Sequence, residues 1–114
     1  MKTVTLGVGS LADTLAAASA AFQGEAQGQA ILFETPELLF STLTPNRWAL
    51  LRAMAGQGGM AIRAAARLVG KDVKNVHADV QALISAGILR RTGHQIEFPF
   101  DAIHVEFTLC RAAA

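Results

Sequence analysis

Residues 60–98 read MAIRAAARLVGKDVKNVHADVQALISAGILRRTGHQIEF, and the parsing of this stretch decides the fold. Ile62, Ala65, Ala66 and Val69 recur at three- and four-residue spacing, which places them on one face of a helix over residues 61–69. Gly70 follows, where a helix ends most easily in a left-handed residue. Asp72 then caps a second helix that runs to about Ala86 and stops at Gly87. Its apolar positions, Val73, Val76, Val80, Leu83 and Ile84, form the expected inward stripe. The small Ala65 and Ala66 let the two helices cross closely. Residues 88–92 and 95–98 are short β-prone runs separated by Thr92-Gly93-His94, a spacing that predicts a hairpin with glycine at a positive-φ position. Pro99 ends it.

Helix, glycine turn, helix and hairpin is the order of a winged helix-turn-helix, whose second helix commonly enters the DNA major groove. The inward stripe then dictates what faces out. Lys74, Asn75, His77 and Gln81 are the expected base-reading residues: Asn and Gln pair with an adenine edge, and His or Lys donates to guanine. Ala78 is placed to touch a thymine methyl. Arg63, Arg67 and Lys71, with Arg90 and Arg91 on the hairpin, are the expected phosphate-binding set, and His94 sits at the wing tip. Asp72 and Asp79 dilute the charge of the reading helix. Asp72 is explained as a cap, and Asp79 is expected to pair with Lys74, Lys71 or an arginine of the neighbouring helix.

Working outward, Thr35-Pro36-Glu37 and Thr44-Pro45-Asn46 repeat one punctuation mark. Threonine caps a helix and proline takes its first position, where the missing N–H is not needed. The first opens a short helix with Leu38, Leu39 and Leu43 apolar. The second opens a longer one over residues 46–55, with Trp48, Leu50, Leu51 and Met54 available to the core and Gly56, Gly58 and Gly59 as its stop. Upstream, Val4, Leu6 and Val8 alternate as in a strand. A helix follows from Ser10, with Leu11, Leu15, Ala18 and Phe22 on one face and Gly24 as its end, and a second strand covers 29–33. Such a crossover predicts two parallel strands. Ile103, Val105, Phe107 and Leu109 alternate with His104, Glu106 and Thr108, a strand expected to join the same sheet.

The expected class is therefore α+β: a winged helix-turn-helix with an additional small sheet from the N-terminal strands and the C-terminal strand. Residues 1–34 form a strand-helix-strand extension, and residues 35–114 the winged helix-turn-helix with its last strand. Residues 1–34 and 103–109 are the candidate dimer or partner contact, because strands near the termini can extend a sheet across an interface.

Composition is consistent with that class. At 114 residues and 52% hydrophobic, the chain can bury the core of one domain, and disorder of the whole chain is excluded. The net charge of +1 is unevenly spread. Residues 1–44 set Lys2 against Asp13, Glu25, Glu34 and Glu37, a net −3, whereas residues 45–114 hold nine basic against five acidic residues, a net +4. The basic half coincides with the helix-turn-helix and favours an anionic partner there. Cys110 stands alone, so neither an intrachain disulfide nor a cysteine zinc site is possible, and a reducing, cytoplasmic setting is expected. No apolar run is long enough to span a membrane. Lys2 and the AAASA run resemble parts of a secretion leader, but Gly7, Gly9, Ser10 and Asp13 interrupt the apolar region such a leader needs. GVGS at 7–10 lacks the further glycines and the acidic residue of a dinucleotide fingerprint, and reads as a turn. His77, His94, His104 and Asp101 fall on different elements, without metal-ligand spacing. Cys110 has no base beside it and no nucleophile elbow occurs. No enzyme activity, catalytic residue, metal or cofactor is expected, and Trp48 is read as a core anchor.

The segment VHADVQALISAGILRRTG, residues 76–93, resembles the recognition-helix-plus-wing segment of MarR-like winged-helix regulators. Val76, Leu83, Gly87 and Ile88 match that pattern. The usual contact positions fall on His77 and Ala78, where those regulators often carry serine and arginine, so Ala78 departs from it. LTPNRWALLRAM, AIRAAARLVGKDVKNVHADVQAL and IEFPFDAIHVEF, spanning about residues 35–110, resemble a group of small predicted regulators of bacteria and archaea. Members of that group look like antitoxins of toxin-antitoxin pairs, including those termed TumA. The resemblance implies a homodimeric repressor of its own operon that also binds a toxin, with double-stranded DNA as its other partner. The competing expectation is a protein-interaction module that uses the same scaffold without reading DNA.

Overall fold

The computed structural model describes residues 2–9 and 29–107. The helix expected over residues 10–24 and the end of the last strand from Thr108 lie outside them. Strand β1 (Thr3–Val8) is followed by β2 (Gln29–Phe33), α1 (Pro36–Thr42), α2 (Pro45–Met54), α3 (Ile62–Val69), α4 (Val73–Ser85), the hairpin β3 (Arg90–Thr92) and β4 (Gln95–Glu97), and β5 (Ala102–Glu106). The class is α+β, with four helices and two small sheets among the described residues.

Both ends of the described chain meet in one parallel sheet, ordered β2-β1-β5. The register sets Leu6 beside Ile31 and Val105, and Val4 beside Ile103, so these five residues share one face. Val4 and Leu6 of the central strand are fully buried. Two parallel strands need a crossover between them, and the link from β1 to β5 carries all four helices and the hairpin. The entry to β5 is tied to the start of β1: the Asp101 N–H donates to the Lys2 carbonyl at 2.7 Å, and the Lys2 N–H donates to Asp101 Oδ2 at 2.9 Å. The sheet thus draws strands from both sides of the 34/35 boundary expected from the sequence.

Both threonine–proline marks act as helix starts. Thr35 Oγ1 accepts from the Leu38 N–H at 3.1 Å and Thr44 Oγ1 from the Arg47 N–H at 3.4 Å, with proline in the first turn of each helix. Helices α3 and α4 stop alike. Gly70 and Gly87 have φ of 66° and 83°. The Lys71 N–H donates to the Ala66 carbonyl and the Ile88 N–H to the Leu83 carbonyl, both reaching back past the left-handed glycine. Ile88 and Leu83 are buried together, the apolar contact that accompanies this ending.

The hairpin begins later than the pattern suggests. Ile88 and Leu89 are buried, but both their N–H groups donate to Leu83 O at the end of α4, so strand pairing starts only at Arg90. Pairing also ends one residue early, at Glu97. Gly93 turns the chain with φ of 61°, the glycine position required by a two-residue turn between Thr92 and Gln95. Met60 pairs with Ile96 through two backbone bonds of 2.9 and 2.7 Å, adding a rung on the other side of β4.

The core lies between the apolar sheet face and the helices, around Leu39, Leu50, Leu51, Met54, Val80 and Leu83. Ala65 and Ala66 are the buried residues of α3, which lets α4 lie close. Trp48 is half-buried against this cluster. Two expected apolar positions fail. Leu38 is 48% exposed on a helix of only two turns, where Leu39 and Leu43 already fill the inward side. Val73 is 41% exposed, since it lines an open depression at the start of α4 and is not part of the buried cluster. Among the described residues, no helix is long and apolar enough to cross a membrane.

Candidate nucleic-acid interface

Helix α4 is held by one face and displays the other. Val76, Val80 and Leu83 are buried and Ile84 is half-buried. Lys74, Asn75, His77, Ala78 and Gln81 are all exposed. His77 and Ala78 lie three and four residues beyond Lys74, and Gln81 lies four and three beyond them, so the four make a single ridge along the outside of the helix. Asp72 caps the helix by accepting from the Lys74 N–H at 3.4 Å, which directs its carboxylate to the backbone.

Beside the start of α4 is an open depression of about 370 Å³ lined by Arg63, Ala66, Arg67, Lys71 and Val73. Three of the expected phosphate-binding residues are therefore brought together. Arg63 and Arg67 lie one turn apart on α3, and the left-handed ending at Gly70 turns the chain so that Lys71 closes the third side. None of the three forms an ion pair among the described residues. Val73 belongs to this depression rather than to the core stripe. Its place at the first helical position, before the buried Val76 and Val80, is the signal in the sequence that separates the two.

Asp79 is neutralised from an unexpected direction. Its Oδ1 accepts from Arg47 Nε of α2 at 3.0 Å, and Arg47 Nη1 also donates to the carbonyls of Thr42, at 2.9 Å, and Ser41, at 3.4 Å. Both side chains of the pair are about one-fifth exposed. Asp79 therefore adds no free negative charge to the outer ridge, and Lys71 and Lys74 have no carboxylate partner among the described residues. In the sequence Arg47 is one of the nine basic residues of 45–114, with no local pattern that ties it to Asp79. An aspartate next to the buried Val80 marks the need for a partner, but not which helix supplies it.

The hairpin divides its two arginines. Arg90 Nε and Nη2 both donate to Glu97 Oε1, at 2.8 and 2.6 Å, across the strand pair that sets these residues opposite each other. Arg91, the next residue, points to the other face of the strand, is exposed and has no such partner among the described residues. His94 is exposed at the turn. His77, His94 and His104 stay on separate elements, and no group of three His, Cys, Asp or Glu among the described residues is placed to hold a metal ion.

No curated protein and no solved structure matches this chain. The sequence model of one family does, over residues 42–105, which runs from the end of α1 through the helices and hairpin to β5. That match covers more than half of the chain, and the chain belongs to the HVO_A0114 family.

Proposed function

We propose that this protein is a DNA-binding transcriptional regulator built on a winged helix-turn-helix, with α3 and α4 as the helix pair and β3–β4 as the wing. The observation that carries this reading is the convergence of Arg63, Arg67 and Lys71 on one open depression, from which the ridge of Lys74, His77, Ala78 and Gln81 continues along α4. Three cations without carboxylate partners among the described residues suit phosphates, which set affinity and register. The polar ridge suits base edges in the major groove. Asn75 stands beside the ridge for the same groove, and Arg91 and His94 reach the flanking backbone or minor groove. Arg90 contributes less, since Glu97 already holds it.

The resemblance to antitoxin-like regulators supports a more specific role. The protein acts in the cytoplasm as a homodimer on a two-fold operator, represses its own operon and neutralises a toxin encoded with it. The test is a fluorescence-anisotropy titration against the DNA upstream of its own gene, at about 50 and 200 mM salt, with the Lys74→Ala/Gln81→Ala double variant alongside. Binding that weakens steeply with salt and is lost in the variant is expected. Folded, dimeric protein with no affinity for this DNA at low salt would sink the reading in favour of a protein-interaction module.

A further inference from the structure

Among the described residues, β5 pairs with β1 on one side only, so its other edge presents main-chain N–H and C=O groups with no strand beside them. Natural sheets usually protect such an edge with lysine, proline or a bulge. Ala102–Glu106 contains no lysine or proline, its register with β1 is unbroken, and Glu106 is its one formally charged residue. The edge is instead flanked by apolar surface: Val105 is 37% exposed, Phe40 of α1 is 57% exposed, and the Phe107 ring packs edge-on against Phe40 with centroids 5.7 Å apart. On the opposite face of the strand, His104 and Glu106 are exposed side by side, with His104 Nε2 3.5 Å from Glu106 Oε2.

We propose that this edge pairs with the same edge of a second copy of the chain, antiparallel and centred on Val105, to make one six-stranded sheet. It deepens the two-fold assembly proposed above by naming the surface and register. In that register Val105 meets Val105 of the second copy, and Ile103 meets Phe107, all on the helix-covered face. His104 meets Glu106 and Glu106 meets His104 on the other face. An imidazole N–H donates to a carboxylate, so both polar contacts are favourable and the two-fold makes each occur twice. Centring one residue earlier, on His104, sets histidine against histidine and leaves Glu106 opposite Ala102. The sequence of β5 is thus complementary to itself in one register. A two-fold normal to the sheet keeps the helical layers of both copies on the same side, as two α4 helices facing one duplex require. The other edge strand, β2, has no such match: centred on Ile31, it sets Gln29 against Phe33.

Sedimentation velocity of the full chain without DNA tests this, on the wild type, His104→Glu and His104→Glu/Glu106→His. His104 and Glu106 side chains are 59% and 74% exposed, so the substitutions leave the fold intact, as circular dichroism will verify. The wild type is expected to be dimeric. His104→Glu sets carboxylate against carboxylate twice and weakens the dimer about tenfold, and the double variant restores it. A monomeric wild type overturns the proposal, including the case where another protein occupies the edge. A dimer indifferent to His104→Glu, or one the double variant fails to restore, also overturns it. A dimer that ignores DNA would sink the reading of α4 and leave this pairing standing, and a DNA-binding monomer would do the reverse.

Discussion

Arg47 joins three elements through one guanidinium: it sits in the first turn of α2, binds the carbonyls that end α1, and pairs with Asp79 midway along α4. Its planar fork allows these contacts at once, which an ammonium cannot do. Arg47→Met keeps the stem and removes the charge, leaving a partly buried carboxylate and the Thr42 carbonyl without their donor. The expected loss of stability is about 1–3 kcal/mol, read as a lower urea midpoint. An unchanged midpoint would mean that water replaces the guanidinium freely. Two glycines make a second residue-scale comparison. A Cβ at Gly70 meets nothing within 4 Å, but φ there is +66°, so Gly70→Ala should cost about 1 kcal/mol through backbone strain alone. At Gly59 the Cβ falls 2.8 Å from the Gln95 side-chain oxygen, which can swing away. Gly59→Ala should therefore shift the thermal midpoint less than Gly70→Ala, and the reverse order would contradict this account.

At the scale of elements, the hairpin and the helix pair divide the charge between structure and surface. Glu97 holds Arg90 across the two strands, whereas Arg91 faces solvent. If the hairpin is the proposed wing and meets phosphates, Arg91→Ala should weaken DNA binding and lower the salt slope by about 0.9 for the lost contact. Glu97→Gln should tighten binding by releasing Arg90. Anisotropy titrations over a salt series check both, and equal slopes for wild type and Arg91→Ala would remove the wing from the interface. The helix pair shows how much was legible locally. Threonine before proline marks α1 and α2, Asp72 marks α4, and glycine ends α3 and α4, because each signal satisfies backbone groups within a few residues of itself. The start of β3 was not legible in this way. Ile88 and Leu89 have strand-like side chains, but their N–H groups are taken by the ending of α4.

For the whole molecule, the three-stranded sheet is the closure. Its central strand comes from one end of the chain and its β5 neighbour from the other, and every helix of the described residues lies on the path between. Leu6→Ala removes a fully buried side chain from that strand and should cost about 2–5 kcal/mol. Because the helices rest on the same core, loss of far-UV ellipticity and the fluorescence change of Trp48 should coincide in one transition, for wild type and variant alike. Two separated transitions would show that the sheet and helix pair melt independently.

What the sequence determined by itself is local: the kind and order of the described elements, their caps, the hairpin turn, and, Val73 apart, which residues of α4 face out. Those follow from periodicity and from backbone hydrogen bonds closed over short distances. The parallel register, which joins Thr3–Val8 to Ala102–Glu106, was legible only as an expectation that the last strand joins the first two. Tertiary structure alone decided that Arg47 rather than a nearer cation takes Asp79, that Val73 leaves the core for the cationic depression, and that Arg90 but not Arg91 is neutralised. Each depends on the distance between side chains from elements far apart in the chain. Spacing along a sequence sets which face a residue occupies, and only packing sets what lies opposite it.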